Sequence, residues 1–132
     1  MIIVSAFALK WGIAMTYSNL AARHCVSCSD KSLPLGRDEI EQLLQQIPGW
    51  QLSTDGKRLV RIWRVLDFMT GLDFFQRIGE LAEQEDHHPD LHLANYRDLT
   101  VELWTHAAGG LTENDFIVAA KIDALEQPLL KG

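Results

Sequence analysis

The sequence predicts an α+β domain in which a four-stranded antiparallel sheet carries three helices on one face. Apolar residues switch between a helical and a strand-like period in the order helix, strand, strand, helix, strand, strand, helix. Turn signals fall within each pair of strands and indicate two hairpins. Because strands and helices do not alternate singly, the pattern favours an antiparallel sheet covered by helices over a parallel one.

The first half of the domain is predicted to be a helix followed by a hairpin. The segment DEIEQLLQQI spaces apolar residues at helical intervals, and Pro48 and Gly49 end it. Residues 50–53 begin an extended stretch, Asp55 and Gly56 are typical of a hairpin turn, and RLVRIWRVL returns with β-branched and aromatic residues. These segments supply the first helix and the first two strands.

The second half begins with a longer helix. From Asp67, apolar residues recur every three or four positions and predict a helix that ends near Asp86. Pro89 cannot continue a helix, and it favours extended geometry for the residue before it, His88. The sequence therefore places a histidine pair where a helix changes into a strand.

A second hairpin and a last helix complete the predicted order. LHLANY and LTVELWTH read as strands, with Arg97 and Asp98 as the turn between them. Thr112 is expected to cap the last helix, with Asp115 three positions later in a capping-box pattern.

Strand alternation also predicts what the open face of the sheet carries, the open face being the side away from the helices. It should hold Trp104 and Glu102, and some of Arg61, Trp63 and His92. A half-open face of this composition is a possible surface for a ligand or a protein partner.

The chain is expected to form a single domain over residues 35–132, after a loosely ordered N-terminal extension, residues 1–34. The first residues are apolar but lack a basic n-region and include Lys10, so an upstream start or an extension is favoured over a secretory signal. We therefore expect a cytoplasmic protein. Cys25 and Cys28, with His24, offer three potential ligands where a closed zinc site needs four, which disfavours a metal or redox role.

Charge and hydropathy argue against two classes of partner. The formal net charge is -6, whereas proteins that bind nucleic-acid backbones usually carry a basic patch. No apolar stretch approaches the roughly 18 residues that a membrane span requires. We expect neither a nucleic-acid partner nor a membrane.

The histidines carry the chemical signal. Four of the five lie between positions 87 and 106. His87 and His88 stand at the end of the predicted helix, and His106 falls at the end of the last strand, on the same side as Trp104. Imidazole has an unperturbed pKa of about 6.5, so it can give or take a proton near neutral pH. Two or three rings around one cavity could protonate one atom and deprotonate another.

Neighbouring residues refine this hypothesis. Glu83 lies about one helical turn before His87, where its carboxylate could fix the tautomer of the ring. A zinc site is disfavoured, because Pro89 breaks the helix that would align His88 with His92. A serine or cysteine nucleophile is also disfavoured, because the cysteines are remote in sequence from the histidines and no serine follows Ser53.

These residues resemble the pterin-4a-carbinolamine dehydratase family. The resemblance runs from about Leu35 to Leu125 and rests on Glu83, on DHHPD at 86–90, on VELWTH ending at His106 and on GGLTEND. It implies the fold described above, no metal or organic cofactor, and assembly through sheet edges into a homodimer or homotetramer.

The resemblance also implies a reaction, the dehydration of 4a-hydroxytetrahydropterin to quinonoid dihydropterin. His87, His88 and His106 would surround the pterin. His87 and His88 would act as the acid–base pair, in an order that the sequence leaves open, and Glu83 would orient His87. His106 would bind the substrate or share the proton transfer. The motifs imply further substrate-binding residues, namely Asp86, Pro89, Trp104, Thr105 and Asp115.

Two departures from the family pattern support an alternative. Leu91 occupies a position where many members carry an aromatic residue, and DLHL at 90–93 resembles a subgroup similar to plastid and autotroph proteins. The alternative is a non-catalytic binding protein, such as a Rubisco assembly factor or a dimerisation cofactor. The retained histidines favour the enzyme.

Overall fold

A computed structural model describes residues 19–26 and 33–128. Over these residues the chain forms three α-helices, α1 (Arg37–Leu44), α2 (Phe68–Glu85) and α3 (Glu113–Asp123). It forms four β-strands, β1 (Gln51–Leu52), β2 (Leu59–Arg64), β3 (Asp90–Ala94) and β4 (Asp98–Leu103). Two 3-10 helices, Leu20–Ala22 and His106–Ala108, lie outside this pattern. The predicted fold class and element order are confirmed.

The strands form one antiparallel sheet in the order β1-β2-β4-β3. β4 therefore lies between β2 and β3. Trp63 of β2 is opposite Leu99, and Leu91 of β3 is opposite Val101. This register brings the end of β4, and so His106, next to the start of β3 at Asp90.

All three helices pack on the same face of the sheet. Trp63 of β2 contacts Phe74 of α2 in an edge-to-face arrangement, with 5.3 Å between ring centroids. Burial of each large apolar side chain stabilises the fold by roughly 1.5–3 kcal/mol. The buried side chains that join helices and sheet are Leu43, Ile47, Leu59, Trp63, Phe74, Ile78, Leu99, Val101, Leu103, Phe116, Ile117 and Ile122.

The prediction for the open face is wrong for Arg61 and Trp63. Trp63 is 2% exposed and faces the helices, because it shares a sheet face with Leu59. Arg61 lies on the same side: its Nη1 donates to Asp123 Oδ1 at 2.5 Å, and its guanidinium lies 4.7 Å from the Trp63 ring. Alternation within β2 instead exposes Ile62 on the open face.

The turn between β3 and β4 also differs from the prediction. Asn95 and Tyr96 adopt φ angles of 49° and 53°, and the Arg97 amide donates to the Ala94 carbonyl at 3.2 Å. Two consecutive positive φ angles are typical of a type I′ hairpin turn, which asparagine tolerates. The turn therefore falls two positions before the predicted one, and Asp98 begins β4.

Part of the predicted N-terminal extension contacts the domain. Leu20 is 3% exposed, and Arg23 donates two hydrogen bonds to the Glu113 carboxylate, at 3.1 and 2.7 Å. Lys121 Nζ donates to the Ala21 carbonyl at 2.7 Å. We call residues 19–26 the docked segment. Cys28 and the first 18 residues lie outside the described part of the chain.

No helix in residues 19–26 and 33–128 combines the length and the apolarity needed to cross a membrane.

Candidate active site

The end of α2 determines where the histidine pair lies. Asp86 has φ 52°, and its amide donates to the carbonyls of Ala82 and Glu83. The His87 amide also donates to the Ala82 carbonyl, at 3.2 Å. This left-handed C-cap ends the helix and redirects the chain towards β3. His87 and His88 therefore occupy the short connection that the sequence predicted.

His87 is held by a buried carboxylate. Its Nε2 lies 2.7 Å from Oδ1 of Asp115, which has no solvent exposure. Oδ2 of Asp115 accepts hydrogen bonds from Thr105 Oγ1 at 2.8 Å and from the Thr112 amide at 2.9 Å. The carboxylate that caps α3 thus also orients the imidazole, and it joins α3, β4 and the end of α2.

His88 has a different carboxylate partner. Glu83 Oε2 lies 2.5 Å from His88 Nε2 at the surface. The expectation that Glu83 orients His87 is therefore wrong, because the left-handed turn at Asp86 brings His88 back towards the last turn of α2, while His87 is directed towards Asp115. Each of the paired histidines has one carboxylate.

His106 lies in ring contact with Trp104, at an interplanar angle of 45°. The chain closes a small loop after Trp104, in which the Thr105 amide donates to the Gly110 carbonyl at 3.1 Å. The ring of His106 lies 3.8 Å from that of Trp104, and the Arg58 guanidinium lies 4.5 Å from the Trp104 ring on β4's open side. The predicted placement of His106 beside Trp104 is confirmed.

The three rings line one cavity of about 350 Å³. Its walls are formed by Val26, Asp86, His87, His88, Trp104, Thr105, His106, Ala107 and Asn114. Most of the residues predicted for the site therefore lie around one space, with Asp115 behind His87.

Other predicted residues lie beside a neighbouring groove. Glu83 and Pro89 line this groove of about 630 Å³ with Leu91, and His88 borders both spaces. Leu91 thus stands apart from the cavity walls named above. His92 lies on the open face, where its Nε2 is 3.8 Å from Glu102 Oε2.

Three cavity residues, Val26, Ala107 and Asn114, were missed in the sequence. Val26 belongs to the docked segment, and Asn114 lies in the first turn of α3. Asn114 Oδ1 accepts from the Val26 amide at 3.0 Å, and Asn114 Nδ2 donates to the Val26 carbonyl at 2.6 Å. No local sequence pattern joins positions so far apart.

The docked segment also binds the end of α2. Glu85 accepts from the Cys25 amide at 2.8 Å and lies 2.9 Å from His24 Nδ1. Burial works to raise the pKa of Glu85, but the hydrogen bonds from Cys25 and His24, with Lys121 nearby, outweigh it and lower the pKa. Glu85 is thus stabilised as a carboxylate directly before Asp86.

Cys25 is unsuited to thiolate chemistry. Burial, together with the adjacent Glu85 carboxylate, raises the pKa of its thiol to about 12. Its Sγ donates to the Asn114 carbonyl at 3.7 Å. Among residues 19–26 and 33–128, no group of three or more His, Cys, Asp and Glu side chains is arranged to hold a metal ion.

Comparisons with known proteins agree on one family. The family described as pterin 4 alpha carbinolamine dehydratase matches residues 33–125. A mitochondrial pterin-4-alpha-carbinolamine dehydratase 2 from Arabidopsis thaliana is 49% identical over 83% of this chain, and the match spans 60% of that relative's length. A putative pterin-4-alpha-carbinolamine dehydratase from Halorhodospira halophila is 44% identical over 81% of this chain and 97% of its own.

A solved structure supports the same assignment. The crystal structure of a transcriptional coactivator/pterin dehydratase from Brucella melitensis matches with a TM-score of 0.65 and 33% identity. The match covers 69% of this chain and 96% of that one. With a family match over most of the domain and relatives above 40% identity, the chain belongs to the pterin-4a-carbinolamine dehydratase family.

Proposed function

We propose that this protein dehydrates 4a-hydroxytetrahydropterin to quinonoid dihydropterin and so returns an oxidised pterin to its recycling route. The names of its relatives support this activity. The observation that carries the proposal is the cavity lined by His87, His88 and His106, with a carboxylate bonded to each of the first two rings.

The reaction needs one acid and one base close together. The C4a–O bond breaks and the hydroxyl leaves as water after it accepts a proton. A base removes the N5 proton, and the electron pair of that N–H bond forms the C4a=N5 double bond. Positioned acid–base groups typically accelerate such steps by about 10²–10⁴-fold.

Carboxylate pairing suits His87 and His88 to these two roles. An ionised carboxylate only accepts hydrogen bonds, so the bonded Nε2 of each ring carries a proton. The Nδ1 atoms are then the ones that exchange protons with the substrate. One ring would act as the acid and the other as the base.

His106 would bind the substrate. Its ring and that of Trp104, which it contacts, both line the cavity, and aromatic rings pack well against a flat heterocycle. Asp86 and Thr105 would border the pterin, while Asp115 and Glu83 would act through the histidines that they contact. No metal or organic cofactor is part of this proposal.

Stopped-flow spectroscopy tests the proposal. The 4a-hydroxytetrahydropterin is generated enzymatically, and the appearance of quinonoid dihydropterin is followed with and without the protein. We expect the wild-type protein to accelerate it, and His88→Ala to lower kcat by roughly 10²-fold or more. His92→Ala is the matched control, because His92 is not among the residues that line the cavity. A wild-type rate equal to that of buffer contradicts the proposal.

The predicted assembly and location remain proposals. β3 forms an edge of the sheet, and pairing through such an edge would give a homodimer, with further assembly to a homotetramer. Light scattering coupled to size exclusion measures this directly. A cytoplasmic location stays a prediction, since one relative, from Arabidopsis thaliana, is mitochondrial. The non-catalytic alternative is not adopted, because the cavity retains the three histidines.

A further inference from the structure

We propose that the docked segment is a fixed part of the substrate cavity, in which Val26 contacts the substrate and Glu85 and Asn114 are the positioning residues that hold it there. The inference rests on the proposed dehydratase function and extends it to a part of the chain that precedes the residues of the family match, 33–125.

Glu85 provides the first attachment. One oxygen of its carboxylate accepts from the Cys25 amide at 2.8 Å, and the other lies 2.9 Å from His24 Nδ1 and 3.7 Å from Lys121 Nζ. The side chain is 5% exposed. A buried carboxylate that bonds a backbone amide fixes the path of the segment, because the amide has one position where it can donate.

The first turn of α3 provides the second attachment. The side chain of Asn114 donates to the Val26 carbonyl and accepts from the Val26 amide, as a neighbouring strand would. One position earlier, Glu113 receives two hydrogen bonds from Arg23. The backbone of Val26 is therefore fixed by Asn114 from both its amide and its carbonyl, and the residue lies in the cavity wall.

Both attachments lie next to residues of the site. Glu85 directly precedes Asp86 and the histidine pair, and Asn114 directly precedes Asp115, which bonds His87. The same two helix ends thus hold the acid–base rings and the docked segment. A shift of the segment would change the cavity wall, while His87 would keep its own bond to Asp115.

Val26 is suited to substrate contact. Its side chain is apolar and the residue is 73% exposed, yet it lines the same cavity as polar groups such as His87 and Asp86. When a flat ring covers an apolar group that was exposed to solvent, the burial of apolar surface stabilises the complex. Such contact is made equally in the ground state and the transition state, so its loss should raise KM and leave kcat unchanged.

Steady-state kinetics on full-length variants tests the inference. We expect Val26→Ser to raise KM for the carbinolamine roughly three- to tenfold, with kcat within about twofold of wild type. The loss of an apolar group in an enclosed pocket typically changes kcat/KM by roughly tenfold or more, and this cavity is open. Glu85→Ala should raise KM similarly. Glu85→Gln should keep KM close to the wild-type value, because an amide oxygen still accepts from the Cys25 amide. Asp73→Asn, on an exposed turn of α2, is the control.

Limited trypsin digestion supplies a structural readout. Glu85→Ala should speed cleavage after Arg23 relative to wild type, whereas Val26→Ser should not. An active wild-type protein whose KM is unchanged by Val26→Ser overturns this inference and leaves the proposed function standing. A wild-type protein without dehydratase activity overturns the proposed function, and this inference with it.

Discussion

The Oδ1 atom of Asp115 lies 2.7 Å from Nε2 of His87, and the same carboxylate receives hydrogen bonds from Thr105 and from the amide of Thr112. One side chain therefore caps α3, bonds Thr105 just after β4 and sets the tautomer of a cavity histidine. Because Asp115 is fully buried, solvent cannot replace any of these three partners.

Substitution of Asp115 by asparagine should reverse the tautomer of His87. The amide oxygen would continue to accept from Thr112, which leaves the NH₂ group facing His87 and requires an unprotonated Nε2 there. The proton would move to Nδ1, so the ring could no longer act as a base at that atom. We expect kcat/KM to fall by roughly 10²-fold or more, measured by stopped-flow dehydration.

The stability of the same variant separates chemistry from unfolding. Replacement of the charged buried acceptor by a neutral amide should cost about 1–3 kcal/mol in the free energy of unfolding, measured by urea denaturation. The domain should therefore remain folded while activity falls. Asparagine at this position with wild-type kcat/KM would show that the Asp115–His87 bond has no catalytic consequence.

Asp86→Gly should stabilise the fold and lower the activity. A non-glycine residue at φ 52° is strained, and glycine relieves this strain, so the free energy of unfolding should rise by about 0.5–1 kcal/mol. Because Asp86 lines the cavity, kcat/KM should fall. Asn95→Gly is the matched control: it relieves a φ of 49° in the hairpin turn, away from the cavity, and should stabilise without loss of activity. Equal activity in both variants would contradict a role for Asp86 in substrate binding.

Cys25 should react slowly with thiol reagents in the folded protein. Raising the pKa of the thiol from 9.0 to about 12 makes the thiolate fraction about 10³-fold smaller at mildly alkaline pH. In a Cys28→Ser background, labelling of Cys25 by a disulfide reagent at about pH 8 should be at least 10²-fold slower in the native state than in urea. Similar rates in both states would mean that the docked segment does not bury this thiol.

Glu85 should add acid sensitivity to the fold. Its folded pKa lies below the ordinary value of 4.5, so the carboxylate stabilises the folded state fully above that value and loses this contribution as pH falls through the folded pKa. The difference in unfolding free energy between wild type and Glu85→Gln should therefore shrink between neutral pH and about pH 3.5. Urea denaturation at several pH values measures it, and a difference that grows on acidification contradicts the assignment.

Several features that local sequence signals determine were predicted correctly, although the β3–β4 turn lies two positions before the predicted one. Pro89 and the preceding apolar period located the end of α2 and the histidine pair, and alternation in β4 placed His106 beside Trp104. Asp55 and Gly56 marked the first hairpin, where Gly56 has φ 73°. Each of these signals acts over a few residues, so it survives without knowledge of the packing.

The features that depend on packing could not be predicted in this way. Asp115 reaches His87 across 28 positions because α3 packs beside the end of α2. Glu83 was assigned to His87 by helical spacing alone, whereas the left-handed turn at Asp86 gives it to His88. Arg61 lies on the helix side of the sheet with Leu59 and Trp63, and Asp123 of α3 pairs with it there. The docking of Val26 has no local signal at all.

The central claim is that His87, His88 and His106 surround one pterin. Titration with 7,8-dihydropterin, followed through the imidazole signals in ¹H–¹⁵N NMR spectra, tests it most directly. We predict that the signals of these three histidines shift together along one saturable binding curve, while His92, which does not line the cavity, does not shift. A shift of His92 alone, or binding that leaves the three cavity histidines unchanged, would contradict the account.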